Sequence, residues 1–123
     1  MKKRPVNLDL RTMKMPSTAI VSILHRASGF ILFFFIPLFL WGLQQSLASE
    51  AKFNNIQTLF NNGFLKFVVW FFVSGLLYHL VAGIRHLLMD LGIGESHKGG
   101  RVGATIVIVI SVILIICLGV WLW

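Results

Sequence analysis

The chain has 123 residues, 57% of them hydrophobic and 12% charged, with a mean hydropathy of +0.85. That is too apolar for a soluble domain of this size and indicates an integral membrane protein. The formal charge of +7 does not signal nucleic acid, because the basic residues gather at the ends of apolar segments, where membrane topology puts them.

The first 21 residues read as a cytoplasmic N-terminal segment. Pro5 and Pro16 bracket a stretch from Val6 to Met15 without strong periodicity, expected to lie along the membrane surface. No short apolar core with a small-residue cleavage site follows the basic start, as a signal peptide would require, and no Arg- and Ser-rich transit sequence is present. A chain beginning in this way at Met1 suits a bacterial plasma membrane.

Three segments, Ala27 to Leu47, Phe67 to Ile84 and Val102 to Trp123, contain no Asp, Glu, Lys or Arg, and a helix needs roughly 20 such residues to cross the hydrocarbon layer. The second is slightly short and is extended toward Phe64 with Lys66 snorkelling. The predicted domain is thus 22–123, with spans at about 22–47, 64–88 and 102–123, an all-α membrane fold. No strand alternation supports a barrel. Pro37 is expected to kink the first helix without ending it. Ser46 to Asn62 reads as a polar loop, and Gly92 to Gly103, with Gly94, Gly99 and Gly100, as a second loop.

Nine of the eleven Lys and Arg residues lie before the first span or in the second connection, and only Lys52 and Lys66 lie in the first connection. The positive-inside rule therefore places the N-terminus in the cytoplasm and the C-terminus outside. His79, six residues before Arg85, falls about 9 Å along the helix from it and belongs to the cytoplasmic half.

An ionisable side chain such as His79 within a span marks a functional site by default. Gly75, Ala82 and Gly83 lie within a turn of it, so that a flat group such as a b haem could approach the ring. The single cysteine, Cys117, and the absence of Cys-x-x-Cys-His mean that such a haem is held non-covalently. The first span has His25 only at its edge, the third has no His, and neither contains Met, so the chain offers one axial ligand and a partner must complete the site.

Two polar constellations accompany His79. In Ser22-Ile-Leu-His25-Arg26-Ala-Ser28-Gly29, Ser22 and Arg26 share a helix face and can hydrogen-bond a carbonyl oxygen of a lipid-borne molecule or a haem propionate. In His79-Leu-Val-Ala82-Gly83-Ile-Arg85-His86, followed by Asp90, His86 shares nearly the same face as His79. Plainer roles stand beside these: Arg26, Arg85 and His86 as interfacial anchors, and His79 as a hydrogen-bonding link between helices. Phe33, Phe34, Phe35, Trp121 and Trp123 need only lipid contact, and His97 reads as a solvated loop residue.

Arg4-Pro5 with Asn7-Leu8-Asp9-Leu10, the Ser-x-x-His-Arg-x-Ser-Gly pattern from Ser22, and the His-x-x-x-Gly-x-Arg-His-x-x-x-Asp pattern from His79 together resemble the bacterial cytochrome b membrane-anchor C subunit of succinate dehydrogenase. The resemblance covers essentially the whole chain. It implies half of a heterodimeric helical bundle that shares one haem b with a second membrane anchor, beneath an iron-sulfur subunit and a flavoprotein subunit that alone carry the clusters and FAD. It further implies His79 as the axial ligand to the haem iron, Ser22 and Arg26 in the ubiquinone pocket, and His25 and Arg26 near the haem propionates. The residues alone leave open the cytochrome b anchor of another respiratory dehydrogenase, or a structural membrane protein without cofactor.

Overall fold

A computed structural model describes Val6, Leu8, Asp9 and residues 11–123. Lys2, Lys3, Arg4, Pro5, Asn7 and Leu10, which contribute to the charge count and to the N-terminal motif, lie outside the described residues. The described chain contains four helices, α1 (Ser17–Ala48), α2 (Glu50–Leu59), α3 (Gly63–Asp90) and α4 (His97–Leu122). Of these α1, α3 and α4 are long and apolar enough to cross a membrane.

Local chemistry sets the boundaries. Pro16, extended at φ −68°, cannot donate a backbone hydrogen bond, but its carbonyl accepts from Ala19 and Ile20 and starts α1 there. The helix then runs through Pro37 without a break. Ser49 ends it in extended conformation and at once caps α2, its Oγ accepting from the Lys52 N–H at 3.2 Å. The segment expected as a loop from Ser46 to Asn62 is therefore mostly helical. Its polar composition hid a serine cap followed by Glu50, whose charge suits the first turn of a helix. Asn62 repeats the device for α3, with Oδ1 accepting from Phe64 and Leu65.

The second connection is also shorter than expected. Gly92 and Gly94, at φ +81° and +77°, make the left-handed turn for which glycine is suited, and Ser96 caps α4 through the Gly99 N–H. Gly99, Gly100 and Gly103 are helical, not loop residues. Gly100 is buried, and a Cβ there would stand 3.4 Å from the Thr18 methyl; one on Gly103 would stand 3.2 Å from Arg85 Nε. At these two positions glycine permits close packing rather than breaking a helix.

Helix α3 is the centre of the bundle, packed against both α1 and α4. One stripe of it, Trp70, Ser74, Tyr78 and Ala82, recurs every four residues. Tyr78 Oη donates to the Val21 carbonyl of α1 at 2.9 Å, and Trp70 Nε1 to the Ile115 carbonyl of α4 at 3.2 Å. Val21, Ala82, Ala104 and Val107 form the buried cluster where the three helices meet, with Tyr78 and Val81 against it. Most large apolar side chains lie outside this cluster and are exposed.

Candidate functional site

The start of α1 and the end of α3 bring three histidines into a stack. The His25 ring lies over His79 with centroids 4.2 Å apart and planes 16° from parallel, and His86 lies 6.0 Å from His25 on α3. The close approach of α1 to His79 depends on Gly29, where a Cβ would stand only 2.9 Å from His79 Cε1. Gly83 plays the matching part for His25, with a Cβ 3.3 Å from Nε2. Gly75, expected to clear space near His79, faces nothing of this chain within 4 Å.

The hydrogen bonds of His79 fix its tautomer. Nδ1 lies 3.1 Å from the His25 carbonyl oxygen and 3.0 Å from Ser28 Oγ, and Ser28 Oγ itself donates to that carbonyl at 2.8 Å. A carbonyl can only accept, so Nδ1 carries the proton and shares it between the two oxygens. Nε2 is left with its lone pair. An imidazole that gives its other N–H to a backbone carbonyl is the arrangement that orients a metal-ligating histidine, so the residues fit a haem bound through Nε2. His25 does not fit as the opposite ligand: two rings stacked at 4.2 Å leave no room for a macrocycle between them. Among the described residues no three His, Cys, Asp or Glu side chains converge as a metal site.

Beside the stack is a small cavity of about 200 Å³ lined by Val21, Ser22, His25, Arg26, Ala82, Arg85 and His86. The structure thus brings Ser22, His25 and Arg26 to one wall and Arg85 and His86 to the other; His79 lies behind His25 and does not line the cavity. Arg85 is partly committed, its Nη2 donating to the Gly100 carbonyl at 3.1 Å and tying the end of α3 to α4. The space combines a hydroxyl, two guanidiniums and two imidazoles with an apolar floor of Val21 and Ala82, a donor-rich setting for carbonyl or carboxylate oxygens. A larger groove of about 620 Å³ lies at the opposite end between α1, α2 and α3. Phe, Leu and Val dominate its lining, with Lys52 as the charged group, and it holds no cluster of titratable side chains.

Ser28 and Gly29 are the site residues whose roles the sequence left blank. They stand three and four residues after His25, so they share its helix face, but their contact with His79 exists only once α1 meets α3.

The sequence model described as succinate dehydrogenase/fumarate reductase transmembrane subunit matches residues 1–118. The chain is 50% identical to the succinate dehydrogenase cytochrome b556 subunit of Coxiella burnetii over 122 residues, 98% of each chain. It is 35% identical to that of Rickettsia prowazekii over 96% of this chain and 92% of the relative, and 29% identical to that of Paracoccus denitrificans over 90% and 91%. With its three apolar helices and this near full-length similarity, the chain belongs to the family of succinate dehydrogenase/fumarate reductase transmembrane subunits.

Proposed function

We propose that the chain is the haem b-binding membrane anchor of a succinate:quinone oxidoreductase, holding the flavoprotein and iron-sulfur subunits at the cytoplasmic face of a bacterial inner membrane and forming part of the ubiquinone-reduction site. In this reading the N-terminus is cytoplasmic and the C-terminus outside, a second membrane anchor supplies the other axial ligand, and FAD and the clusters stay in the partner subunits. The observation that carries it is the His79 imidazole, held through Nδ1 by Ser28 and the His25 carbonyl so that Nε2 keeps a lone pair.

His79 would hold the haem iron, and a haem bound there would supply a one-electron store. His25 and Arg26 line the cavity, where they would serve propionates as charge-assisted donors. Ser22 and Arg26 present a hydroxyl and a guanidinium to a quinone whose carbonyl oxygens gain negative charge on reduction. Val21 and Ala82 supply the apolar part of the cavity lining.

The same hydrogen bonds support a second reading, in which His79 only ties α3 to α1. A reduced-minus-oxidised absorption spectrum of the assembled complex separates the two. His79→Leu should lower haem content or shift the spectrum, whereas His97→Leu should leave both alone. An unaltered spectrum and haem content in His79→Leu would return the residue to helix packing.

A further inference from the structure

Reduction of a quinone to a quinol takes two electrons and two protons, so the pocket needs a proton source as well as donors. Of the side chains lining the cavity, Ser22, Arg26 and Arg85 can donate hydrogen bonds. His25 and His86 are its imidazoles, the residue type that most often serves as general acid or base. His25 is covered on one face by His79 at 4.2 Å. His86 lies on the opposite wall, is exposed, and is separated from His79 by the His25 ring.

We propose that His86 is the proton donor of this pocket, passing protons from the aqueous side to the carbonyl oxygens of the bound quinone; the inference rests on the quinone reading of the cavity. The groups facing it from α1 are His25 and Arg26. On its own helix they are Arg85 and, one turn on at i+4, Asp90. Lys98 and Arg101 begin α4 at the same end of the bundle, but α4 contributes no side chain to the lining. As two electrons from succinate oxidation enter the ring, the imidazolium N–H bond breaks and an O–H bond forms on one carbonyl oxygen. Water reprotonates the imidazole and the transfer repeats at the other oxygen, so one quinone becomes one quinol.

The test uses membranes containing the assembled complex. His86→Gln should retain haem and oxidise succinate with a soluble artificial acceptor at the wild-type rate. Its ubiquinone-reductase rate should fall about tenfold or more at pH 6, since general acid catalysis contributes on the order of a hundredfold or more where proton transfer limits the rate. The loss should be smaller at pH 8, where a histidine donor is mostly without its proton, and added imidazole should restore part of the rate. A wild-type rate, or a loss that is uniform with pH and indifferent to imidazole, overturns the assignment. Should this variant and His86→Asn both fail to assemble, the wild-type pH profile decides: ubiquinone reduction must fall, relative to the artificial-acceptor rate, as one group loses its proton between pH 5 and 8, and a flat ratio overturns the proposal. Ser22→Ala is run alongside. Full ubiquinone reductase activity in that variant defeats the quinone reading itself, whereas a loss there with an unaffected His86→Gln defeats only the proton donor.

Discussion

Gly29→Ala is the sharpest mechanical test of how α1 holds His79. The new methyl would stand 2.9 Å from His79 Cε1, 3.5 Å from Nδ1 and 3.8 Å from Nε2. Carbon atoms in good contact are about 3.5–4.0 Å apart, so the ring or the helix must retreat by roughly 0.6 Å or more. The ring has little freedom to do so, because Nδ1 is tied to Ser28 and the His25 carbonyl and the His25 ring covers one face. In the proposed haem site, a shift of that size would carry Nε2 out of bonding distance of the iron. Overpacking of this kind costs about 1–3 kcal/mol. The purified complex of Gly29→Ala should therefore lose haem, or show a shifted spectrum, together with a lower Tm. Gly42→Ala is the control: it lies on the same helix, meets nothing within 4 Å, and should be neutral or slightly stabilising because alanine favours a helix by about 1 kcal/mol over glycine. Wild-type haem content, spectrum and Tm in Gly29→Ala would refute the contact as a constraint on His79.

Two further outcomes follow from the same structure. Single cysteines at Asn55 or Asn61, introduced after Cys117→Ser, should react with an impermeant thiol reagent added from outside, while one at Ser96 should react only once the membrane is opened; the reverse pattern would invert the orientation. Tyr78→Phe removes the hydroxyl that donates to the Val21 carbonyl and should lower stability by about 1 kcal/mol, read as an earlier thermal loss of the complex, with the haem spectrum unchanged.

What the sequence made legible follows from what each signal measures. Charge-free stretches report lipid exposure, so the three long helices could be seen from composition alone, and so could an ionisable His79 among them. Ser22 and Arg26 share a face by helical arithmetic, and the structure places both on one cavity wall. The helix over Glu50–Leu59 was obscured because its stability begins with one cap at Ser49, a local device that composition averages away. Gly100 and Gly103 misled for a different reason: a glycine that breaks a helix and a glycine that lets two helices touch are the same letter. Only the opposite surface, here Thr18 and Arg85, tells them apart. The hydrogen bond between Ser28 and His79 joins residues 51 positions apart and no local pattern encodes it.

The small number of shielded side chains in this bundle bears on how it finds company. Only Val21, Ala82, Ala104 and Val107 are buried apolar residues among those described, and the remaining greasy surface gains little by trading lipid for protein, since acyl chains are as apolar as leucine. Stickiness therefore cannot choose a neighbour. Selection falls to shape and to the few polar atoms at the ends, so that a single misplaced polar group at either end would weigh more in partner choice than any change among the apolar side chains between them.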